Sequence, residues 1–185
     1  MTTKANARPS EDASVIDSPV GPLFLGTTSQ GIRRLEFLRD AMDRESKRQT
    51  ASADGDSVFA SEVEKQVTEY FEGTRRAFDL PLDLAGTDFQ LSVWRAIAAV
   101  PFGETLTYSQ IAAAVGRPTS YRAAGNACGA NPVVIIVPCH RIVGTDRGLH
   151  GFGGGLDTKT FLLRHEGSLG AIRDRRAGQA ALITA

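Results

Sequence analysis

A cysteine and a histidine stand side by side in the segment Pro138-Cys139-His140-Arg141, at the end of a short apolar run. A cysteine is a good nucleophile only as its thiolate, and a nearby base or positive charge favours that form at neutral pH. His140 and Arg141 are the immediate candidates for that base and that charge. We therefore expect Cys139 to carry nucleophilic chemistry.

The apolar run before the motif, residues 133–137, predicts a strand that ends at the thiol. Neighbouring residues on a strand point to opposite faces, so contact between the side chains of Cys139 and His140 would need a turn, a bridging water or a third group. The alternative is that Cys139 is an inert buried thiol, which is common for single cysteines. That alternative leaves the polar residues around the motif unexplained.

The elements upstream of the thiol are predicted to be helices. Thr87 with Gln90, and Thr107 with Gln110, each form a capping-box pattern that opens a helix. A third helix is predicted from about residue 121 to residue 129. Helix, tight turn, helix is the layout of a helix-turn-helix.

The third predicted helix consists mostly of small side chains, with Arg122 as its long cation. Such a helix could lie close to a nucleic-acid groove and send in one side chain, which suits recognition of shape or of a flipped base. The alternative is that small residues merely allow close helix packing. From the residues alone, that alternative is favoured.

The first half of the chain predicts a small α/β domain. Short apolar segments separated by Pro and Gly turns indicate an antiparallel sheet, and apolar residues at helical spacing from Val58 to Gly73 indicate a helix. The resulting division has four parts: a disordered terminus at 1–12, an N-terminal domain at 13–86, a C-terminal domain at 87–170 and a mobile tail at 171–185.

Composition excludes several classes of protein. The 185 residues are 42% hydrophobic, enough for a real core. No apolar run reaches the roughly 20 residues that span a bilayer, and the N-terminus lacks a signal-peptide core, so we expect no membrane association and a cytoplasmic protein. The two cysteines, Cys128 and Cys139, are too few for a disulfide scaffold, and no zinc-site spacing is present; neither a metal nor a cofactor is predicted.

Charge is divided unevenly between the halves. Residues 1–86 hold 11 Lys and Arg against 15 Asp and Glu, whereas residues 87–185 hold 10 against 6. A polyanion would therefore be tolerated beside the C-terminal half.

Several further motifs surround the thiol in a fixed order. Together they resemble the O6-alkylguanine-DNA alkyltransferases of bacterial type, the methylated-DNA–protein-cysteine methyltransferase family, over nearly all of residues 87–167. The segments that carry the resemblance are Asp88-Phe89-Gln90, residues 101–105, residues 108–112, Asn131-Pro132, the Gly-rich loop 151–156 and residues 161–167, with a weaker match at residues 16–23.

The resemblance implies both a fold and a function. It implies an α/β protein with a ribonuclease-H-like N-terminal domain and a winged-helix-like C-terminal domain that contains the helix-turn-helix. The implied function is direct reversal of DNA damage: the alkyl group of O6-alkylguanine passes irreversibly and stoichiometrically to the protein's own cysteine. The implied partner is alkylated double-stranded DNA, bound through its minor groove by a monomer, with cooperative loading on DNA left open.

The resemblance also implies roles in holding the damaged base. Tyr108 lines the pocket and helps to rotate the nucleotide, while Arg122 fills the place that the nucleotide leaves. The backbone around the thiol, Ile142 and the loop Phe152-Gly153 contacts the guanine. Many members have Tyr where this chain has Phe152, and Ala or Ser where it has Gly153, so the pocket departs from the usual pattern.

At the nucleophile, the resemblance assigns a proton relay to Glu166, His140 and a water, which takes the proton from Cys139. It assigns to Asn131 the ordering of the turn that carries the thiol. The product would be S-alkylcysteine, which has no easy exit for the alkyl group. Cys128 is interpreted as structural.

Two other functions stay open. A lesion-binding protein of the alkyltransferase-like type would keep Arg122 and the helix-turn-helix but lack a working nucleophile. A small cysteine hydrolase would use Cys139 and His140 on a different substrate, with turnover and without a need for Arg122.

Overall fold

The computed structural model describes residues 12–39, residue 43 and residues 58–171. The predicted disordered terminus and mobile tail lie outside the described residues, except for their edge residues Asp12 and Ala171. Within the described ranges, no helix has the length and apolar character needed to cross a bilayer.

The N-terminal half begins with a three-stranded antiparallel sheet in the order β1-β2-β3. The strands are β1 (Asp12–Ile16), β2 (Leu23–Thr28) and β3 (Gly31–Phe37). A Cβ at Gly31, where φ is +140°, would lie only 2.3 Å from the carbonyl oxygen of Pro81, so the sequence needs glycine there. The predicted antiparallel sheet is confirmed.

One helix, α1 (Val58–Phe71), buries its apolar face in the main core. Val63, Val67 and Tyr70 are fully buried on it. This confirms the predicted helix of the first half and places the Tyr70 hydroxyl deep inside the protein.

Three helices follow in the C-terminal half: α2 (Asp88–Ala98), α3 (Tyr108–Ala114) and α4 (Tyr121–Gly129). Both predicted capping boxes are present, at Thr87 and Thr107. The predicted third helix is also confirmed. The Trp94 indole donates to the Ala127 carbonyl oxygen at 2.8 Å, which ties α2 to α4.

The remaining elements surround the thiol. A 3-10 turn, Cys139–Arg141, leads into β5 (Ile142–Val143), which pairs in parallel with β4 (Leu106–Thr107). Helix α5 (Leu156–His165) and a second 3-10 turn, Leu169–Ala171, complete the described chain.

The prediction of a strand at residues 133–137 is wrong. The segment coils back on itself, with Ile135 at a φ of +70° and Val137 N–H donating to the Val133 carbonyl at 3.0 Å. Two contacts impose this path. The Asn131 side chain forms hydrogen bonds with both ends of the segment, and Leu35 of β3 forms an isolated bridge with Val133 at its start. Its apolar content reflects burial rather than strand pairing.

The two halves share one hydrophobic core. Leu35 of β3 donates its N–H to the Pro132 carbonyl and accepts from Val134 N–H, both at 2.9 Å. The N-terminal sheet thereby holds the segment that leads to the thiol.

Candidate active site

The nucleophile candidate lies on a turn. Pro138 has a φ of −81° and a ψ of 64°, which bends the chain into the 3-10 turn Cys139–Arg141. A 3-10 turn has three residues per turn, so its successive side chains point in directions about 120° apart. Cys139 therefore lines a cavity while His140 points into the core with no exposed surface.

Asn131 supports this turn from the preceding loop. Its Nδ2 donates to the Val137 carbonyl at 2.7 Å, and its Oδ1 accepts from Val133 N–H at 3.0 Å. The same side chain is one of the groups that lower the pKa of the Cys139 thiol. Asn131 thus fixes the approach of the chain to the thiol.

Glu166 gathers four side-chain hydrogen bonds on one buried carboxylate. Oε1 accepts from the Tyr70 hydroxyl and bonds to His140 Nε2, both at 2.8 Å. Arg141 donates Nε to Oε2 at 2.8 Å and Nη2 to Oε1 at 2.9 Å. Burial by itself would raise the pKa of Glu166, but the hydrogen bonds and positive charge of these partners lower it to about 2.

The carboxylate decides the state of His140. Because Glu166 is ionised and can only accept, Nε2 of His140 carries the proton and Nδ1 is left with a free lone pair. Among the described residues, Nδ1 has no hydrogen-bond partner. Burial lowers the pKa of His140 below its ordinary 6.5, so the imidazole is neutral at pH 7 and can accept a proton at Nδ1.

Arg141 does not act on the thiol as the sequence suggested. Its guanidinium is held by Glu166 and by the Val100 carbonyl. The positive charge near the thiol instead comes from Lys159, which sequence reasoning missed.

Lys159 is fully buried on α5. Its Nζ donates to the Ile142 carbonyl at 2.6 Å and to the His150 carbonyl at 3.5 Å. A signal was available in the sequence: Lys159 lies three residues after Leu156 and three before Leu162, which is a core-facing position on an amphipathic helix.

The pKa of the Cys139 thiol is lowered from its ordinary value despite its burial. The Cys128 thiol, as a donor available to the ionised sulfur, is the main influence that lowers the pKa of Cys139, and the Asn131 side chain and the Lys159 charge act in the same direction. Burial acts the opposite way but does not prevail.

The cavity at the thiol has a volume of about 430 Å³. It brings together five of the predicted site residues and is also lined by residues that the sequence did not indicate. The predicted residues are Tyr108, Asn131, Cys139, Phe152 and Gly153; the others include Phe37, Arg39 and Cys128. Phe37 packs edge-on against Phe152 with 5.6 Å between ring centroids, so the N-terminal sheet forms one wall.

Two of the residues predicted to contact the DNA or the base lie away from this cavity. Arg122 is exposed on α4, with its guanidinium 5.6 Å from the Tyr121 ring centroid. Ile142 is fully buried, and its carbonyl bonds to Lys159. In the described ranges, no group of three or more His, Cys, Asp or Glu side chains is placed to hold a metal ion.

Two family models match nearly all of the described chain. The ribonuclease-like domain of 6-O-methylguanine DNA methyltransferase matches residues 13–84, and the DNA-binding domain of the same family matches residues 88–168. The chain belongs to the methylated-DNA–protein-cysteine methyltransferase family. The predicted family and fold class are confirmed.

Full-length methyltransferases of this family are similar to the chain. The methylated-DNA–protein-cysteine methyltransferase of Methanosarcina barkeri is 44% identical over 154 residues, which cover 82% of this chain and 94% of that protein. The one from Mycobacterium tuberculosis is 42% identical over 153 residues, covering 83% and 90%.

Solved methyltransferase structures have the same fold. The crystal structure of the Mycobacterium tuberculosis O6-methylguanine methyltransferase superposes with a TM-score of 0.76 at 40% identity, covering 86% of this chain and 94% of that one. A structure of the Mycobacterium tuberculosis protein in complex with DNA matches with the same TM-score and identity over 85% and 94%.

Proposed function

We propose that this protein repairs O6-alkylguanine in double-stranded DNA by transferring the alkyl group to Cys139, once per molecule. The observation that carries the proposal is a cavity-lining thiol with a lowered pKa, next to a neutral histidine held by Glu166. Membership of the methyltransferase family supplies the reaction class.

The proposed reaction begins with the loss of the Cys139 proton. A water passes this proton to Nδ1 of His140, whose Nε2 proton stays on the bond to Glu166. The thiolate then attacks the alkyl carbon in line with its bond to O6. The C–S bond forms as the C–O6 bond breaks, and the electron pair of the broken bond stays with the guanine. The base takes up a proton at N1 from water, while His140 returns the proton of Cys139 to water, so that the proton count balances.

The product explains why the reaction would occur once. A thioether carbon is a poor electrophile, so S-alkylcysteine holds the alkyl group. Cys139 is also buried, with 6% of its surface exposed, which shields the product from other nucleophiles.

The target base must leave the duplex to reach this thiol. The cavity lies within the usual size range of small-molecule pockets, about 300–1,000 Å³, and is lined by Tyr108 and Phe152. We assign to Tyr108 the rotation of the nucleotide, and to the backbone near Cys139 and Gly153 contacts with the guanine. The buried Ile142 supports this wall through its carbonyl bond to Lys159.

Helix α4 is the proposed contact with the minor groove. Ala124, Ala127 and Cys128 face the core, which leaves Arg122 and small residues exposed on the opposite face. Small side chains allow close approach to the groove, and Arg122 would occupy the gap that the flipped nucleotide leaves. We further propose a monomer acting inside the cell, with a domain boundary between residues 86 and 87.

Mass spectrometry of the protein mixed with duplex DNA carrying one O6-methylguanine tests the proposal. Trypsin leaves both cysteines in the peptide 123–141, so fragment ions must assign the methyl group. One methyl per protein on Cys139, with guanine restored, is expected, and Cys139→Ser serves as the blank. Binding without modification would instead support the lesion-binding function, and neither binding nor modification would support a thiol hydrolase.

A further inference from the structure

The cavity contains a second thiol, that of Cys128. Cys128 lies on α4, is buried with 7% of its surface exposed to solvent, and lines the same cavity as Cys139. Its Sγ lies 3.9 Å from the Cys139 main-chain carbonyl oxygen, to which the S–H donates. Both cysteines are free thiols.

The charged and titratable neighbours of Cys139 are engaged with other groups, which leaves the Cys128 S–H as a candidate hydrogen-bond donor to the thiolate. Arg141 is bound to Glu166, and His140 is neutral with Nε2 on the same carboxylate. Lys159 contributes charge from α5, but its Nζ bonds to the carbonyls of Ile142 and His150.

Two further groups face the thiol. They are the Tyr108 phenol on α3 and the Asn131 amide on the preceding loop. Burial is the main cause that raises the pKa of Tyr108, so the phenol stays neutral. Cys128 is the group on α4 that can donate a hydrogen bond to the buried thiolate.

We propose that Cys128 is a positioning residue for the nucleophile: its S–H holds the Cys139 carbonyl while Cys139 is neutral and turns to the Cys139 sulfur when that thiol ionises. The proposal rests on the proposed function, since it assigns Cys128 to the same transfer. No atom leaves or joins Cys128 in this step; only its hydrogen bond changes acceptor.

The physical basis is the greater strength of a charge-assisted hydrogen bond. A bond to an ionised acceptor is roughly twice as strong as a neutral one, so rotation of one S–H toward the thiolate is favourable. The pKa of Cys128 is raised, chiefly by its hydrogen bond to Cys139, so Cys128 keeps the proton that it must donate. The two thiols are thus unequal, with the nucleophile as the more acidic one.

Four substitutions separate hydrogen bonding from packing. Cys128→Ser and Cys128→Thr keep an O–H donor, whereas Cys128→Ala and Cys128→Val remove it; Thr and Val are matched in shape. The measurement is the rate of Cys139 alkylation by iodoacetamide between pH 5 and pH 10, without DNA, with fragment ions assigning the site in the wild type.

We expect Ala and Val to raise the apparent pKa of Cys139 by about one unit, which lowers the thiolate fraction at pH 7 by up to about tenfold. Ser and Thr should restore the wild-type profile. Ile97→Val on α2 is the control for a loss of core packing, and it should leave the profile unchanged because Ile97 is a fully buried residue of α2 that does not line the cavity.

Equal profiles for the wild type and all four variants would overturn the proposal. Equal shifts for the variants with and without a donor would overturn it as well, because packing would then be the cause. If the Ala and Val variants fail to fold, the Ser and Thr variants decide. Alkylation profiles like that of the wild type, together with a Ser transfer rate equal to that of the wild type, support the proposal. Shifted alkylation profiles of both Ser and Thr contradict it.

Methyl transfer from DNA is then measured separately at pH 7. Cys128→Ala should be about threefold slower, since a thiolate of higher pKa is the better nucleophile and offsets part of the tenfold loss. A shifted alkylation profile with no methyl transfer by the wild type would refute the proposed function but leave the role of Cys128. Methyl transfer with an unshifted profile would do the reverse.

Discussion

The Tyr70 hydroxyl donates to Oε1 of Glu166 at 2.8 Å, across 96 residues of chain. Helix α1 of the N-terminal half thereby touches the carboxylate that orients His140. The proposed relay therefore depends on the packing of α1 as well as on the thiol motif. Burial, and then the Glu166 charge, raise the pKa of Tyr70, so the hydroxyl remains a donor at every working pH.

Removal of this donor should weaken the protein and slow transfer. Tyr70→Phe keeps the ring but deletes a hydrogen bond to a charged group, worth about 1.5–3 kcal/mol. Urea unfolding should show a loss of that size, and single-turnover methyl transfer should slow because His140 is held less firmly. Tyr121→Phe, on a ring that is 46% exposed, is the control and should leave unfolding unchanged. Equal stability of the Tyr70 variant and the wild type would contradict the prediction.

Acid should destabilise the protein through Glu166. The pKa of Glu166 falls from 4.5 to about 2 on folding, so its contribution is complete above about pH 4.5 and is lost as pH falls toward 2. A shift of this size corresponds to about 3 kcal/mol. The free energy of unfolding, measured from pH 6 to pH 2, should decline over that window.

Glu166→Gln supplies the comparison for this pH dependence. It should be less stable at pH 6, by about 3–5 kcal/mol, because Arg141 is left buried without its counter-charge. Its stability should also vary less between pH 4.5 and pH 2. A variant with the wild-type pH slope would show that other carboxylates cause the acid loss.

Neutralisation of Lys159 should make Cys139 less acidic. Lys159→Met removes the buried ammonium that favours the thiolate and that holds the carbonyls of Ile142 and His150. We expect the iodoacetamide profile of Cys139 to move to higher pH and amide exchange near residues 150–153 to speed up. Lys65→Met, at a lysine whose side chain is 63% exposed, should change neither measurement.

Arg122 should matter for duplex DNA and not for the chemistry. Arg122→Ala should lower the rate of repair in duplex DNA more than the rate of alkyl transfer from a free O6-alkylguanine base, because only the duplex has a gap to fill. Arg147→Ala, on another exposed arginine of the C-terminal half, is the control. Equal losses with both substrates would refute the assigned role.

Much of the local structure could be predicted from the sequence. The capping boxes at Thr87 and Thr107 and the helix at 121–129 depend on hydrogen bonds between residues three or four apart, which a linear sequence displays directly. The adjacent residues Cys139 and His140 likewise allowed the position of the candidate site to be predicted before the fold was known.

The tertiary structure decided the rest, because those contacts join residues far apart in sequence. Residues 133–137 have the composition of a strand but coil, since Asn131 and Leu35 bind their backbone. Arg141 stands beside the thiol in sequence, yet its guanidinium turns to Glu166, the only full charge that could compensate its burial among the described residues it contacts.

The groups that act on the thiol also come from distant parts of the sequence. Lys159 lies 20 residues after Cys139 and Cys128 lies 11 residues before it, and no sequence pattern links either residue to Cys139. Packing of α4 and α5 around the 3-10 turn brings the Lys159 ammonium near that sulfur and the Cys128 S–H to the Cys139 carbonyl oxygen. The sequence by itself determined the family and the helices and predicted the nucleophile. Only the folded chain determined which groups shift the pKa of that thiol, because desolvation and charge depend on distance in space.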